Sequence, residues 1–246
     1  MKLTTKVLSP FFSILGFFAK KLNILTPIDG FKIKFPNVTA YTDLGFSFLG
    51  GYEKYERKLI KKYLNPDDRV LEMGACLGVV SLSINRILIN KENQVSVEPN
   101  PELYQYLKFN KEKNNAKFNI EQSIVTDLEE VKFHLGNSAF LSSSIYGSGD
   151  GVPIKGISLN ELEKKYFDFT FLIMDIEGAE LNFLRAFDLR QHTFRMIVFE
   201  THQTPNLLSI DELNECYELL KLYNYTLIEK VGNVEAWEKN PKAVNT

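Results

Sequence analysis

Val70-Leu71-Glu72-Met73-Gly74-Ala75-Cys76-Leu77-Gly78 is the stretch that decides how this chain folds. A short apolar run ends in an acidic residue, passes through Gly-x-x-x-Gly and opens onto a helical pattern from Val79 to about Ile89. Strand, tight turn and helix in that order start a parallel α/β sheet. Glycines in the turn let the backbone bend sharply and let a ligand approach without meeting a β-carbon. The next strand, Gln94 to Val97, ends at Glu98, where an acidic residue can accept hydrogen bonds from both hydroxyls of a ribose.

The alternation continues on both sides of this unit. Upstream, Phe31 to Phe35 alternates apolar residues with lysines as a short strand or hairpin arm, and Tyr52 to Leu64 has a helical face. Downstream, Pro101 to Asn114, Leu159 to Tyr166, Gly178 to Phe187 and Ile210 to Tyr223 read as helices. Phe118 to Val125, Val131 to Leu135, Thr170 to Met174 and Met196 to Glu200 read as strands, and Tyr225 to Glu229 with Val234 to Trp237 as a closing antiparallel pair. Gly136 to Gly156 is rich in Gly and Ser without periodicity and leaves two readings: a loop folded over an acceptor, with Ser138, Ser142, Ser143, Ser144, Tyr146 and Ser148 offering hydroxyl hydrogen bonds, or a mobile surface loop. Alternating strands and helices predict a mostly parallel sheet covered on both faces, with ligands beyond the carboxyl ends of the strands.

The 246 residues carry 29 basic and 31 acidic side chains, a net charge of −2, which argues against a nucleic-acid-coating protein. Cys76 and Cys216 form neither a disulfide framework nor a zinc cluster, so a reducing, cytoplasmic setting is expected. The charge is unevenly divided. Up to Lys34 there are six lysines against Asp29, giving +5, and the remainder carries −7. Within that basic stretch the apolar run Val7 to Ala19 is 13 residues long, short of the ~20 that span a bilayer, and Lys20-Lys21 stand where a signal-peptide cleavage site belongs. Its helical spacing leaves two readings: a basic amphipathic helix on a membrane surface, or a helix packed on the domain or a second subunit. Residues 1–50 are therefore read as an extension, and residues 51–246 as the main domain.

Which ligand the glycine turn serves follows from what it lacks. Dinucleotide binding wants Gly-x-Gly-x-x-Gly, but Cys76 and Val79 hold the second and third glycine places, and no phosphate loop occurs. An acidic residue at the strand mouth repels pyrophosphate and attracts an ammonium group. A ligand with a ribose, an amino group and no phosphate describes S-adenosylmethionine.

With these residues in hand, the sequence resembles the FkbM-type family of S-adenosylmethionine-dependent methyltransferases, from about Tyr52 to about Leu227. Val70 to Gly78 is similar to the family's nucleotide-binding turn, and Glu98-Pro99-Asn100-Pro101 to its ribose-binding strand end. Ser123-Ile124-Val125-Thr126-Asp127 resembles the segment near the adenine, Asp175-Ile176-Glu177-Gly178-Ala179-Glu180 the Asp-x-Glu-Gly-Ala-Glu signature, and Phe199-Glu200-Thr201-His202 the Glu-x-His strand end. The resemblance implies a Rossmann-like class I methyltransferase fold with a seven-stranded sheet and an antiparallel closing strand. It implies cofactor contacts by Glu72, Gly74, Ala75, Cys76, Gly78, Glu98, Pro99, Asn100, Ser123, Ile124 and Asp175. It also implies O-methylation, with sugar units of glycans and small molecules as frequent acceptors. Glu72 stands where Asp is common, Cys76 where Asn is, Ile173 where Lys is frequent and Asn160 where an acid usually opens the helix.

Methyl transfer from a sulfonium needs no activation of its leaving group. Alignment can supply roughly 7–11 kcal/mol of the barrier, and a base for the acceptor hydroxyl on the order of 10²–10⁴ in rate. Asp175, Glu177, Glu200 and His202 are the candidates at the last two strand ends. Glu180 falls in the first turn of a helix, where a carboxylate favours the helix dipole. No spacing marks a metal site, and none is expected. Two other classes stay in view: a nicotinamide-dependent oxidoreductase, and a catalytically silent membrane-associated module with the same fold. Oligomeric state is not legible.

Overall fold

The computed structural model describes residues 2–135, 151–202 and 207–241, with side chains from residue 9 onward. At its centre are β3 (Val70–Met73), β4 (Gln94–Val97), β9 (Phe171–Met174) and β10 (Met196–Glu200). The first three are buried along their whole length; β9 is accordingly an unbroken apolar run, while the polar Glu72, Gln94 and Ser96 of β3 and β4 are buried by bonding to one another. With β5 (Asn119–Glu121), β11 (Tyr225–Val231) and β12 (Val234–Lys239) they form a seven-stranded sheet ordered β11-β12-β10-β9-β3-β4-β5. Strands β5, β4, β3, β9 and β10 run parallel, and β12 closes antiparallel to β10. Met73 stands level with both Val97 and Met174 in the register. The order reverses at β3, from which the chain proceeds outward to β4 on one side and later returns as β9 on the other. This switch point opens a crevice at the strand ends.

The connecting helices are α3 (Lys54–Tyr63), α4 (Val79–Ile87), α5 (Pro101–Lys113), α6 (Leu159–Lys165), α7 (Glu180–Ala186) and α8 (Ile210–Leu222). Their starts follow the sequence chemistry. Asn100 caps α5, its side chain accepting from the Glu102 and Leu103 amides, with Pro101 in the first turn. Ser158 with Glu161 and Ser209 with Glu212 form capping boxes on α6 and α8. Both cysteines are free.

Four features depart from the sequence expectations. The expected strand Phe118 to Val125 divides into β5 and β6 (Ile124–Val125), and β6 joins a three-stranded sheet with β7 (Glu130–Phe133) and β8 (Val152–Ile157). The break falls at Ser123, which lines the crevice. Strand β8 lies at the end of the segment read as aperiodic. Its Gly156 is required because a β-carbon there would stand 1.8 Å from the Leu128 carbonyl oxygen. The candidate acceptor-contacting residues Ser138, Ser142, Ser143, Ser144, Tyr146 and Ser148 lie outside the described residues.

The other two departures precede the sheet. Strand β1 (Thr26–Ile28), not anticipated, is turned by Asp29-Gly30, both at positive φ, into the antiparallel partner of β2 (Phe31–Ile33), the hairpin arm that the sequence suggests. An unanticipated helix, α2 (Tyr41–Phe48), packs along α1 (Lys2–Lys21). Its Thr42, Gly45 and Ser47 are weak helix formers, so tertiary contact rather than propensity holds it. The two backbones touch: a β-carbon on Gly45 would lie 2.0 Å from the Phe12 carbonyl oxygen, and one on Gly16 1.9 Å from that of Tyr41. Ala19, Ile28, Ile33, Phe35 and Leu44 share one core cluster with Leu77, Leu82, Leu107 and Phe118.

Candidate active site

A cavity of about 750 Å³ opens at the carboxyl ends of β3, β4, β9 and β10, within the roughly 300–1,000 Å³ of small-ligand sites. Gly74 lets it form. At φ +88° it turns the chain out of β3, and a β-carbon would stand 1.7 Å from the Asp175 carbonyl oxygen at the end of β9. No side chain fits between these two strand ends.

One half of the cavity is built around Glu98. Its Oε2 accepts from the Cys76 amide at 2.7 Å and its Oε1 from the Asn100 amide at 2.8 Å. Each oxygen keeps a lone pair for a further donor. Burial pushes the carboxyl up to about 7, with the two amides pulling it back. Gly74, Cys76, Pro99, Ser123 and Ile124 line the same half. Ser123 is buried, and its hydroxyl has no hydrogen-bond partner among the described residues. A polar group buried without a partner costs roughly 1–3 kcal/mol, a penalty that a ligand donor or acceptor removes.

The remaining residues expected at the cofactor do not line the cavity. Glu72 turns the other way: Ser81 Oγ and Ser96 Oγ each donate to its Oε2 at 2.6 Å, in a buried network with Gln94. Burial pushes it up to about 7 despite those bonds. Gly78, at φ +82°, starts α4, Ala75 is buried, and Asn100 is occupied in capping α5.

The other half is acidic and centres on His202, which lines the cavity just beyond β10. Four carboxylates surround the imidazole. Nδ1 lies 3.0 Å from Glu180 Oε1, while Nε2 lies 3.3 Å from Asp175, 3.7 Å from Glu177 and 3.7 Å from Glu200. Glu180 is fully buried, and its Oε2 has no hydrogen-bond partner among the described residues; with the His202 tautomer protonated at Nδ1, that nitrogen donates to Glu180 Oε1. The neutral imidazole then presents the Nε2 lone pair to the cavity. Burial pulls the imidazole down, but the hydrogen bond and charge of Glu180, with Glu177 and Glu200, outweigh it and hold it up at about 9. Burial, then the charges of Glu200 and Glu177, push Asp175 well above the carboxylate range. Asn233, at the β11–β12 turn, donates to Glu200 at 2.5 Å. Among the described residues, Asp175, Glu200 and His202 form the grouping of metal-ligand type, with one such atom of each within 4.8 Å of the others.

Sequence reading missed the wall formed by Tyr52, Glu53 and Glu56, which all line the cavity. Tyr52 Oη lies 3.3 Å from Cys76 Sγ, and the Glu53 carboxylate accepts from the Val80 amide in the first turn of α4 at 3.2 Å. Burial, then the charge of Glu200, raises Glu56 to about 7. Buried Arg57 holds this wall in place. It donates to the carbonyls of Gly50, Tyr52 and Glu53 and pairs with Asp29 at 2.6 Å. A buried arginine amid three carbonyls leaves no periodic trace; Arg57 looked like one more charge on a helix.

No curated protein sequence matches the chain. Solved structures share its fold at low identity. A precorrin-6y C5,15-methyltransferase from Geobacter metallireducens GS-15 is 15% identical, with a TM-score of 0.51 over 88% of this chain and 97% of that one. A ribosomal protein L11 methylase from Lactobacillus delbrueckii subsp. bulgaricus is 9% identical, with a TM-score of 0.50 over 78% and 80%. The cavity suits S-adenosylmethionine: Glu98 and the unpartnered Ser123 hydroxyl offer polar contacts on one side, and carboxylates face the positive charges on the other. The model of the methyltransferase FkbM domain matches residues 72–227, starting 20 residues later than the resemblance read from the sequence. That span is well over half of the chain and holds the glycine turn, Glu98, Ser123, Asp175 and His202. The chain belongs to the FkbM family of S-adenosylmethionine-dependent methyltransferases.

Proposed function

We propose that the enzyme methylates a hydroxyl of an uncharged acceptor, a sugar unit or a similar polyhydroxy small molecule, with His202 as the base. The observation that carries this reading is the orientation of His202. Its Nδ1 is held by buried Glu180, and its Nε2 lies among Asp175, Glu177 and Glu200, which line the cavity with it. When bound, S-adenosylmethionine supplies a methyl group on a positively charged sulfur that leaves as a neutral thioether. His202 Nε2 takes the hydroxyl proton as the oxygen gains its methyl, and Glu180 stabilises the imidazolium through Nδ1–H. Asp175, Glu177 and Glu200 face the developing positive charge.

The acceptor's lack of negative charge follows from the lining. Glu53, Glu56, Glu98, Asp127, Asp175, Glu177 and Glu200 face a cavity whose basic groups are Lys54, Arg185 and His202. Burial raises Glu53, Glu56, Glu98 and Asp175, so a bound cationic methyl donor draws these carboxyls back to carboxylates, and the acidic lining then disfavours phosphate or carboxylate acceptors. Asn182 and Asn233 add amide groups suited to hydroxyls.

The test is transfer of an isotope-labelled methyl group to a panel of neutral glycosides, their phosphorylated counterparts and amines, with the product's methyl carbon identified by NMR. O-methylated neutral glycosides are expected. Products methylated on nitrogen or carbon, or a preference for the phosphorylated compounds, would overturn the proposal.

A further inference from the structure

Helix α1 buries one face and leaves another bare. Phe12, Gly16 and Ala19 turn toward the protein. Phe11, Ile14, Phe18 and Leu22, spaced three, four and four residues apart, form a continuous stripe that is 55%, 58%, 54% and 65% exposed. A stripe of large apolar side chains costs solubility when nothing covers it. Among the described residues no helix is long and apolar enough to cross a membrane.

The charge around the stripe says what covers it. Helix α1 contains four lysines, Lys2, Lys6, Lys20 and Lys21, and no acidic residue. The sequence up to Lys34 carries +5, whereas the rest of the chain carries −7. A second copy meeting stripe to stripe would bring the eight lysines of the two helices together with no acidic residue of either helix between them. An apolar stripe flanked by lysines matches the boundary between acyl chains and anionic headgroups.

We infer that α1 docks flat on an anionic lipid surface, with Phe11, Ile14, Phe18 and Leu22 below the headgroups and the basic charge of the helix drawing it to them. The docked helix is coupled to the catalytic cavity. Phe12, on its protein-facing side, packs edge-on against Phe46 of α2 with ring centroids 5.8 Å apart. Phe46 also lines the cavity. The helix packed on the lipid-docked α1 thus contributes Phe46 to the site, and an acceptor held at the membrane lies near the chemistry.

The test is co-sedimentation of the full chain with vesicles of phosphatidylcholine alone or mixed equally with phosphatidylglycerol, alongside Phe18→Glu. The wild type is expected to sediment with the anionic vesicles at least tenfold more than with the neutral ones. That preference should largely disappear near 1 M salt, where the screening length is about 3 Å. Phe18→Glu is expected to lose binding while keeping its far-ultraviolet dichroism and its affinity for S-adenosylhomocysteine, a readout separate from the lipid one. Absence of binding to either vesicle would overturn the inference. So would equal binding by Phe18→Glu, or a dimer in sedimentation velocity that dissociates in Phe18→Glu while vesicles bind neither form.

Discussion

Replacing Glu180 by glutamine should move the titration of His202 further than any other single change at the site. The imidazole is held at about 9 against an ordinary value of 6.5, although burial opposes its charge. The difference, about 2.5 units, is worth on the order of 3 kcal/mol in favour of the imidazolium. Glu180 is the one carboxylate that is fully buried and also hydrogen-bonded to the ring, at 3.0 Å. Glutamine keeps the shape and an acceptor oxygen but removes the charge, so His202 should fall by on the order of one to two units. In the wild type only about one imidazole in a hundred is neutral two units below its pKa. The pH profile of kcat/KM should therefore rise toward about pH 9 in the wild type and reach its plateau at lower pH in Glu180→Gln. That plateau should itself be lower by about tenfold or more, because the imidazolium formed in the reaction loses its partner. Nitrogen-15 NMR of histidine-labelled protein reads the titration directly. An inflection unmoved by Glu180→Gln, or a wild-type His202 titrating near 6.5, would refute the reasoning.

Further outcomes follow from the same geometry. Because the folded pKa of His202 lies above its unfolded one, its stabilising contribution is fully present below about 6.5 and lost as pH rises through about 9; thermal melts should fall across that window, and less in His202→Gln. Glu98→Ala should weaken S-adenosylhomocysteine binding by roughly 1.5–3 kcal/mol in calorimetry, through loss of charge-assisted hydrogen bonds; unchanged affinity would misplace the ribose. Arg57→Ala should destabilise the fold by about 3–5 kcal/mol in urea titration, since it strands the carbonyls of Gly50, Tyr52 and Glu53 and the Asp29 carboxylate; a change below about 1 kcal/mol would show that Arg57 does not hold this wall. A chelator should leave turnover unchanged, because the cation among Asp175, Glu177 and Glu200 is the imidazolium itself; loss of turnover restored by magnesium would contradict that assignment.

The parts of the fold that were legible are those where one physical demand dominates. The buried strands β9 and β10 are legible as apolar runs, and the glycine turn and Glu98 stand at fixed places after β3 and β4. What escaped was decided by distant partners. Helix α2 has little intrinsic preference for a helix and forms where Gly16 and Gly45 let it meet α1. Strand β8 gains its order from pairing with β6 and β7 across a long separation in sequence. Glu72 read as a cofactor contact because it ends a strand, but successive strand residues face opposite ways, and its side chain meets Ser81 and Ser96 instead. Glu180 read as a dipole-stabilising residue. Only the packed structure brings it to His202.

The most direct test of the central claim is calorimetric titration of the purified chain with S-adenosylmethionine, S-adenosylhomocysteine and NADH. A cavity lined by Glu98, Ser123 and an excess of carboxylates, without a phosphate-binding loop, predicts that the first two bind and NADH does not. Absence of binding by the two sulfur ligands at millimolar concentration, or binding of NADH in their place, would contradict it.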